Sequence, residues 1–229
     1  MSVYTEGTGE TTLVFMSGGG TCSPILDFKS LYSLLSDEYQ IAVVEKFGYG
    51  FSDIVDRNRD IDVILEDTRA ALTAAGLTAP YVLCPHSMSG LEALYWAQKY
   101  PDEVTAIIGL DMAVPQYYDS MPINHSLLKA ASRTATITMI NETESVKENA
   151  KKVELAGVPQ LPMLLFISNG QGGTGFDEET WREIPIEYIS QVKDGKYIEL
   201  DCPHYVHDYE YKTISESMIA FLKGNNITR

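Results

Sequence analysis

The sequence predicts an α/β fold, a mostly parallel sheet with helices on both faces. Two observations carry this. Short apolar runs, each about the length of one strand, alternate with stretches whose apolar residues recur at helical spacing. The runs also end in turn-forming residues, glycine above all, before the next helical stretch begins. The size fits: 229 residues, 45% hydrophobic and 21% charged, suit one domain with a large core and are too apolar for a disordered chain.

Taken in order, Thr12–Met16 is the first strong strand, followed at once by Gly18, Gly19 and Gly20. Gln40–Glu45 is the second, ended by Phe47-Gly-Tyr-Gly50. Ile61, Ile64, Leu65, Thr68, Leu72 and Ala75 lie on one helical face, and Gly76 stops that helix. Tyr81–Cys84 is the third strand. Met88, Leu91, Leu94, Tyr95 and Gln98 continue as a helix to Tyr100, where Pro101 ends it. Val104–Leu110, Met163–Ile167 and Tyr197–Leu200 are the remaining strands, and Tyr211, Ile214, Met218 and Phe221 mark a C-terminal helix. Residues 112–160 break the alternation: they are polar, with a helix-like patch from Glu142 to Leu155. A connection of that length reads as a small helical cap inserted into a single domain spanning 1–229. The competing reading is an ordinary crossover helix with long loops.

Seventeen basic and 32 acidic residues give a formal charge of −15. Such a chain repels phosphate backbones and anionic lipid, which argues against nucleic-acid and membrane partners. No apolar run reaches the roughly 18 residues of a membrane span. The start, MSVYTEGTGETT, lacks the basic and apolar regions of a signal peptide, and three scattered cysteines suit a reducing compartment, so a cytoplasmic location is expected.

The segment richest in chemistry is Tyr81-Val-Leu-Cys-Pro-His-Ser-Met-Ser-Gly90, where a strand runs directly into a helix with Ser87 at the corner. Such a corner strains the central residue and lifts its hydroxyl to the helix N-terminus, where free N–H groups favour developing negative charge. The same serine would also serve as a plain N-cap. Ser17-Gly-Gly-Gly20 follows a strand too, and its glycines let backbone N–H groups face a ligand, although glycines alone make only a turn. Asp201-Cys-Pro-His-Tyr-Val-His207 follows the last strand. All three segments therefore fall at C-terminal strand ends, where open α/β sheets place their sites.

Together these segments resemble the α/β-hydrolase family over nearly the whole chain. Met16-Ser-Gly-Gly-Gly20 resembles the family's His-Gly oxyanion turn, with Ser17 for the histidine. Glu45-Lys-Phe-Gly-Tyr-Gly-Phe-Ser-Asp53 resembles its D-x-R-G-x-G-x-S-D loop, with Glu45 for Asp and Phe47 for Arg. Pro85-His-Ser-Met-Ser-Gly90 resembles its G-H-S-M-G-G nucleophile elbow, with Pro85 and Ser89 replacing glycines. His204-Tyr-Val-His-Asp-Tyr-Glu210 resembles the H-x-x-H-x-E stretch that carries the catalytic histidine.

The resemblance implies Ser87 as nucleophile, His204 as general base, and the backbone N–H groups of Gly19 and Met88 as the oxyanion hole. A serine hydroxyl needs a base to become a good nucleophile, and histidine suits that task near neutral pH. His207 matches the family's second, structural histidine. His86 should point away from the site, and His125 falls in the expected cap. The acid is divided between two positions. In most of the family it follows the strand that here ends at Ile167, where the loop offers no carboxylate before Asp177. The second placement, found in some haloalkane dehalogenases, corresponds to Asp111. Asp177 also fits as an N-cap, and Asp111 is preferred because a triad needs a carboxylate fixed on a rigid element.

The resulting expectation is a serine hydrolase acting on carboxylic esters or similar small acyl substrates. The four histidines and three cysteines show no linear metal-ligand spacing, and the glycine run lacks the features of a phosphate or dinucleotide loop, so neither metal nor cofactor is expected. The alternatives are a non-catalytic ligand binder on the same fold, or an aminopeptidase, lactonase or carbon–carbon hydrolase of the family. For the aminopeptidase, Asp119, Glu142 or Glu144 would have to hold the substrate amine. The oligomeric state is left open.

Overall fold

Seven strands form one sheet in the order β1-β3-β2-β4-β5-β6-β7. They are β1 (Ser2–Glu6), β2 (Thr12–Met16), β3 (Gln40–Glu45), β4 (Tyr81–Ser87), β5 (Val104–Met112), β6 (Met163–Ile167) and β7 (Gly195–Glu199). The structure, a computed structural model, describes residues 1–120, 135–172 and 174–227. Only β1 runs antiparallel, paired with β3; every other neighbouring pair is parallel. β1 went unnoticed in the sequence because Ser-Val-Tyr-Thr-Glu is a polar, half-buried edge rather than an apolar run.

Parallel strands are covered on both faces, so they read as continuous apolar runs. All five residues of β2 are buried, and alternate side chains go to opposite cores. Val14 and Met16 join Val44, Leu83, Ile107 and Leu165 beneath Leu65, Leu94 and Trp96. Leu13 and Phe15 join Val43, Val82, Ile108 and Phe166 against Phe28, Leu31, Ile214 and Met218. Helix Ile61–Ala74 is started by the Asp60 carboxylate, which accepts from the N–H groups of Asp62 and Val63. It carries the chain from β3 across β2 to β4. The chain thus leaves β2 to one side and reaches β4 on the other, which opens a crevice between the C-terminal ends of β2 and β4.

The stretch expected as a cap behaves differently in its two parts. Residues 121–134 lie outside the described residues, and His125 with them. The rest is dominated by helix Ile137–Ala156, whose Val146, Ala150 and Val153 form an i, i+4, i+7 stripe within the main core. Asn149 fastens it further by accepting from the Ile61 N–H at 2.8 Å and donating to the Arg59 carbonyl at 3.1 Å. This helix is a β5-to-β6 crossover that shares the core. Its apolar stripe is narrow and its other faces are charged, which is why the sequence read as polar.

Candidate functional site

β4 ends on Ser87, whose φ of 53° lies in the left-handed region that a side chain adopts only at a cost. The chain turns through Met88 into helix Ser89–Lys99. Small residues surround this corner for visible reasons. A Cβ on Gly90 would lie 2.1 Å from the Ala113 carbonyl oxygen, and one on Gly18 would lie 2.7 Å from the Ser87 Cβ. Ser89, which replaces a family glycine, is buried, and its hydroxyl donates to the Ser17 carbonyl. The glycine turn after β2 therefore lies directly against the elbow. Gly19 faces the Met88 side chain, to which an added Cβ would approach within 3.0 Å.

His204 sits on the loop after β7, fixed by its N–H on the Gln171 carbonyl at 2.8 Å. Its ring joins two residues from different strands. Nε2 is 2.9 Å from the Ser87 Oγ, and Nδ1 is 2.6 Å from the Asp111 Oδ2. Asp111 is near the end of β5, with a φ of 50°, and only 2% exposed. A carboxylate so buried needs donors, and it has them. Ser168 donates its backbone N–H to Oδ1 at 2.7 Å and its hydroxyl to Oδ2 at 2.6 Å. The Trp181 indole N–H reaches both oxygens, at 3.0 and 3.2 Å. Asp177 is elsewhere. It caps helix Glu178–Ile189, accepting from the Thr180 N–H and hydroxyl, both at 2.9 Å, and these bonds hold its carboxyl below the usual range.

Behind His204 stand the other two described histidines. His86 is buried, its ring 4.6 Å from that of His204, and its Nε2 is 3.2 Å from the His204 carbonyl oxygen, to which it donates. Burial, with His207 and His204 close by, pushes the His86 pKa well below the ordinary value for histidine. His207 is fully buried beside Asp27. Among the described residues, Asp27, His86 and His207 each bring a ligand-capable atom within 4.8 Å of the others. Linear spacing hid this because the three come from two short helices, Pro24–Asp27 and Val206–Tyr209, and from β4.

The sequence reading also missed Trp181 and Ser168. Neither carries a local signal, since their importance lies in reaching Asp111 from a distant helix and strand end. It missed the linkage of Lys46 and Tyr49 to Glu142 as well. Tyr49 donates to Glu142 Oε2 at 2.7 Å and Lys46 is ion-paired with Oε1, all three buried. Glu142 is thus committed to tying the 45–53 loop to helix Ile137–Ala156, and it is not free to hold a substrate amine. Glu45 holds that same loop by accepting from the Phe51 N–H at 2.8 Å. The three cysteines are unpaired. No helix among the described residues is long and apolar enough to cross a membrane.

Comparison with known proteins agrees with this architecture. The chain is 54% identical over 118 residues to the uncharacterized protein YbdG of Bacillus subtilis, a match that takes in 52% of this chain but only 36% of YbdG. It is 26% identical over 217 residues to the uncharacterized protein YqjL of the same organism, covering 89% of this chain and 83% of YqjL. Among solved structures, an esterase from Thermogutta terrifontis superposes with a TM-score of 0.76 at 16% identity, over 98% of this chain and 93% of the esterase. The E-2-(acetamidomethylene)succinate hydrolase superposes with a TM-score of 0.74 at 17% identity, over 96% and 94% of the two chains. A loop variant of the haloalkane dehalogenase DbeA from Bradyrhizobium elkanii gives 0.74 at 14% identity, over 98% and 93%. At such identities the likeness is one of fold. The sequence profile of the alpha/beta hydrolase fold family matches residues 11–132, more than half of the chain. With its mostly parallel seven-stranded sheet and its serine at a strand-to-helix corner, the chain belongs to the α/β-hydrolase family.

Proposed function

We propose that this protein is a serine hydrolase of carboxylic esters or related small acyl compounds, with Ser87, His204 and Asp111 as its catalytic triad. The observation that carries the reading is the His204 ring, which lies within hydrogen-bond distance of the Ser87 hydroxyl on one side and the Asp111 carboxylate on the other. The short contact to Asp111 favours the tautomer with its proton on Nδ1, which leaves the Nε2 lone pair facing Ser87.

In the proposed reaction, Nε2 takes the Ser87 proton as Oγ attacks the acyl carbon. The N–H groups of Gly19 and Met88 receive the oxyanion of the tetrahedral intermediate. The imidazolium, held by Asp111, then gives its proton to the departing alcohol, leaving an acyl group on Ser87. Water, activated by the same nitrogen, releases the acid and restores the serine. Ser87 rather than aspartate at the elbow argues against dehalogenase chemistry, since that reaction needs a carboxylate nucleophile there.

Labelling with a fluorophosphonate tests this reading, followed by a panel of esters of graded acyl length. Stoichiometric labelling of Ser87, lost in Ser87→Ala and His204→Ala, is the expected result. A folded protein that stays unlabelled and hydrolyses none of the esters would point to a ligand binder on the same fold.

A further inference from the structure

We propose that Asp27, His86 and His207 form a binding site for one divalent transition-metal ion of the zinc class, behind the catalytic histidine and separate from the reacting atoms. Two histidines and one carboxylate are a donor set that zinc takes readily, with water completing the shell. One ligand-capable atom from each residue lies within 4.8 Å of the other two. The three residues come from the short helix Pro24–Asp27, from β4 and from the loop and helix after β7, so the ion would join three separate parts of the chain.

The hydrogen-bonding pattern is the independent observation. His207 is fully buried, yet among the described residues neither of its ring nitrogens has a hydrogen-bond partner. Asp27 Oδ2 and His86 Nδ1 are also buried without partners among the described residues. Buried polar atoms are ordinarily satisfied, and three residues with such atoms in one place need an explanation. His207 Nε2 and Asp27 Oδ2 stand 3.3 Å apart, near enough for a hydrogen bond but not aligned as one. That separation matches the ligand-to-ligand edge of about 3.3 Å around a tetrahedral ion with bonds of ~2.0 Å.

The surroundings of His86 also fit. A metal-bound imidazole ordinarily donates its other N–H to a carbonyl or carboxylate, which fixes the tautomer and leaves a lone pair for the ion. His86 does this through Nε2 on the His204 carbonyl, leaving Nδ1 unpartnered. Its depressed pKa keeps it neutral, as a ligand must be. Phe28, with its ring 4.7 Å from that of His207, closes an apolar side of the site. An ion there would brace the loop that presents His204 without contacting Ser87.

The test uses the full chain, stripped with a chelator and titrated with Co²⁺ and, separately, Zn²⁺. The expected result is one equivalent of bound metal, with the intense visible absorption of low-coordinate cobalt and a rise in Tm on adding zinc. His204→Ala, which removes the other nearby imidazole, should bind metal as the parent does. Asp27→Asn and His207→Ala should bind at least ~10-fold more weakly, the lower end of what losing even an outer-shell partner costs. Should His207→Ala fail to fold, the nearly isosteric Asp27→Asn carries the comparison. No stoichiometric binding by the parent chain, binding unchanged in Asp27→Asn, or binding lost in His204→Ala would each overturn the assignment.

Discussion

The indole of Trp181 donates its single N–H to the carboxylate of Asp111, 3.0 Å from one oxygen and 3.2 Å from the other. Trp181 lies on helix Glu178–Ile189 and Asp111 at the end of β5, so the carboxylate that meets His204 is held from a third element of the fold. Tyr117 stacks on the same indole at 4.3 Å and donates its hydroxyl to the Trp181 carbonyl.

This arrangement gives the first prediction. Trp181→Phe keeps most of the ring but removes the N–H from a buried, charged acceptor. Hydrogen bonds to charged groups are worth about 1.5–3 kcal/mol, so a stability loss in that range is expected by denaturant unfolding. On the proposed triad, ester turnover should fall by about tenfold, because an error in the position of Asp111 is passed to His204. Unchanged turnover with lost stability would confine Trp181 to a structural role.

The two carboxylates considered for the acid are separated by a pair of substitutions. Asp111→Asn places an amide against His204 Nδ1, favouring the tautomer that cannot take the Ser87 proton. Turnover is expected to fall by on the order of 10⁴. Some stability is lost as well, since the Ser168 and Trp181 donors then meet an N–H₂ group. Asp177→Asn alters only an exposed cap, and steady-state kinetics should show parental turnover with a small drop in Tm. A dead Asp177→Asn beside an active Asp111→Asn would reverse the assignment.

The glycine turn is expected to respond position by position. In Gly18→Ala the new methyl would meet the Ser87 Cβ at 2.7 Å and the His86 Nδ1 at 3.0 Å. It should displace Ser87, the proposed nucleophile, and lower kcat by about 10²-fold, the cost of an ångström-scale misplacement. In Gly20→Ala the methyl meets nothing within 4 Å among the described residues, but the φ of 77° is unfavourable for alanine. There a stability loss of about 1–2 kcal/mol with kcat preserved is expected. Equal effects of the two on kcat would count against the close approach of Gly18 to Ser87.

A last prediction concerns acid. The His86 pKa is depressed well below its ordinary 6.5 by burial and by its neighbouring histidines. Below that value the unfolded chain takes up a proton that the folded chain refuses, so stability rises with pH there and is lost as pH falls. Melting curves between about pH 7 and 5 should show a falling Tm for the parent chain. The slope should be shallower in His86→Gln, whose amide nitrogen stands where Nε2 does and so retains a donor for the His204 carbonyl. Parallel slopes would mean that other groups dominate acid unfolding in this range.

Much of this protein could be read from its sequence, and the reason is local. Parallel strands buried on both faces must be apolar throughout, so β2, β3 and β6 appear as runs whose limits match those in the structure. The strand-to-helix corner at Ser87 and the histidine after β7 are set by a few adjacent residues, and both could be named directly. What the tertiary structure decided lay between segments far apart in the chain. The sequence could only weigh Asp111 against Asp177. The choice of the carboxylate that meets His204 depends on how β5 and the β7 loop are juxtaposed, 93 residues apart in the chain. The polar edge strand β1 takes its conformation from pairing with β3. The stripe of Val146, Ala150 and Val153 has meaning only against the core it completes. The grouping of Asp27, His86 and His207 likewise has no trace in linear spacing. Hydrophobic periodicity and turn chemistry act over a few residues and are written locally, whereas a shared site is a set of distances that only the folded chain defines.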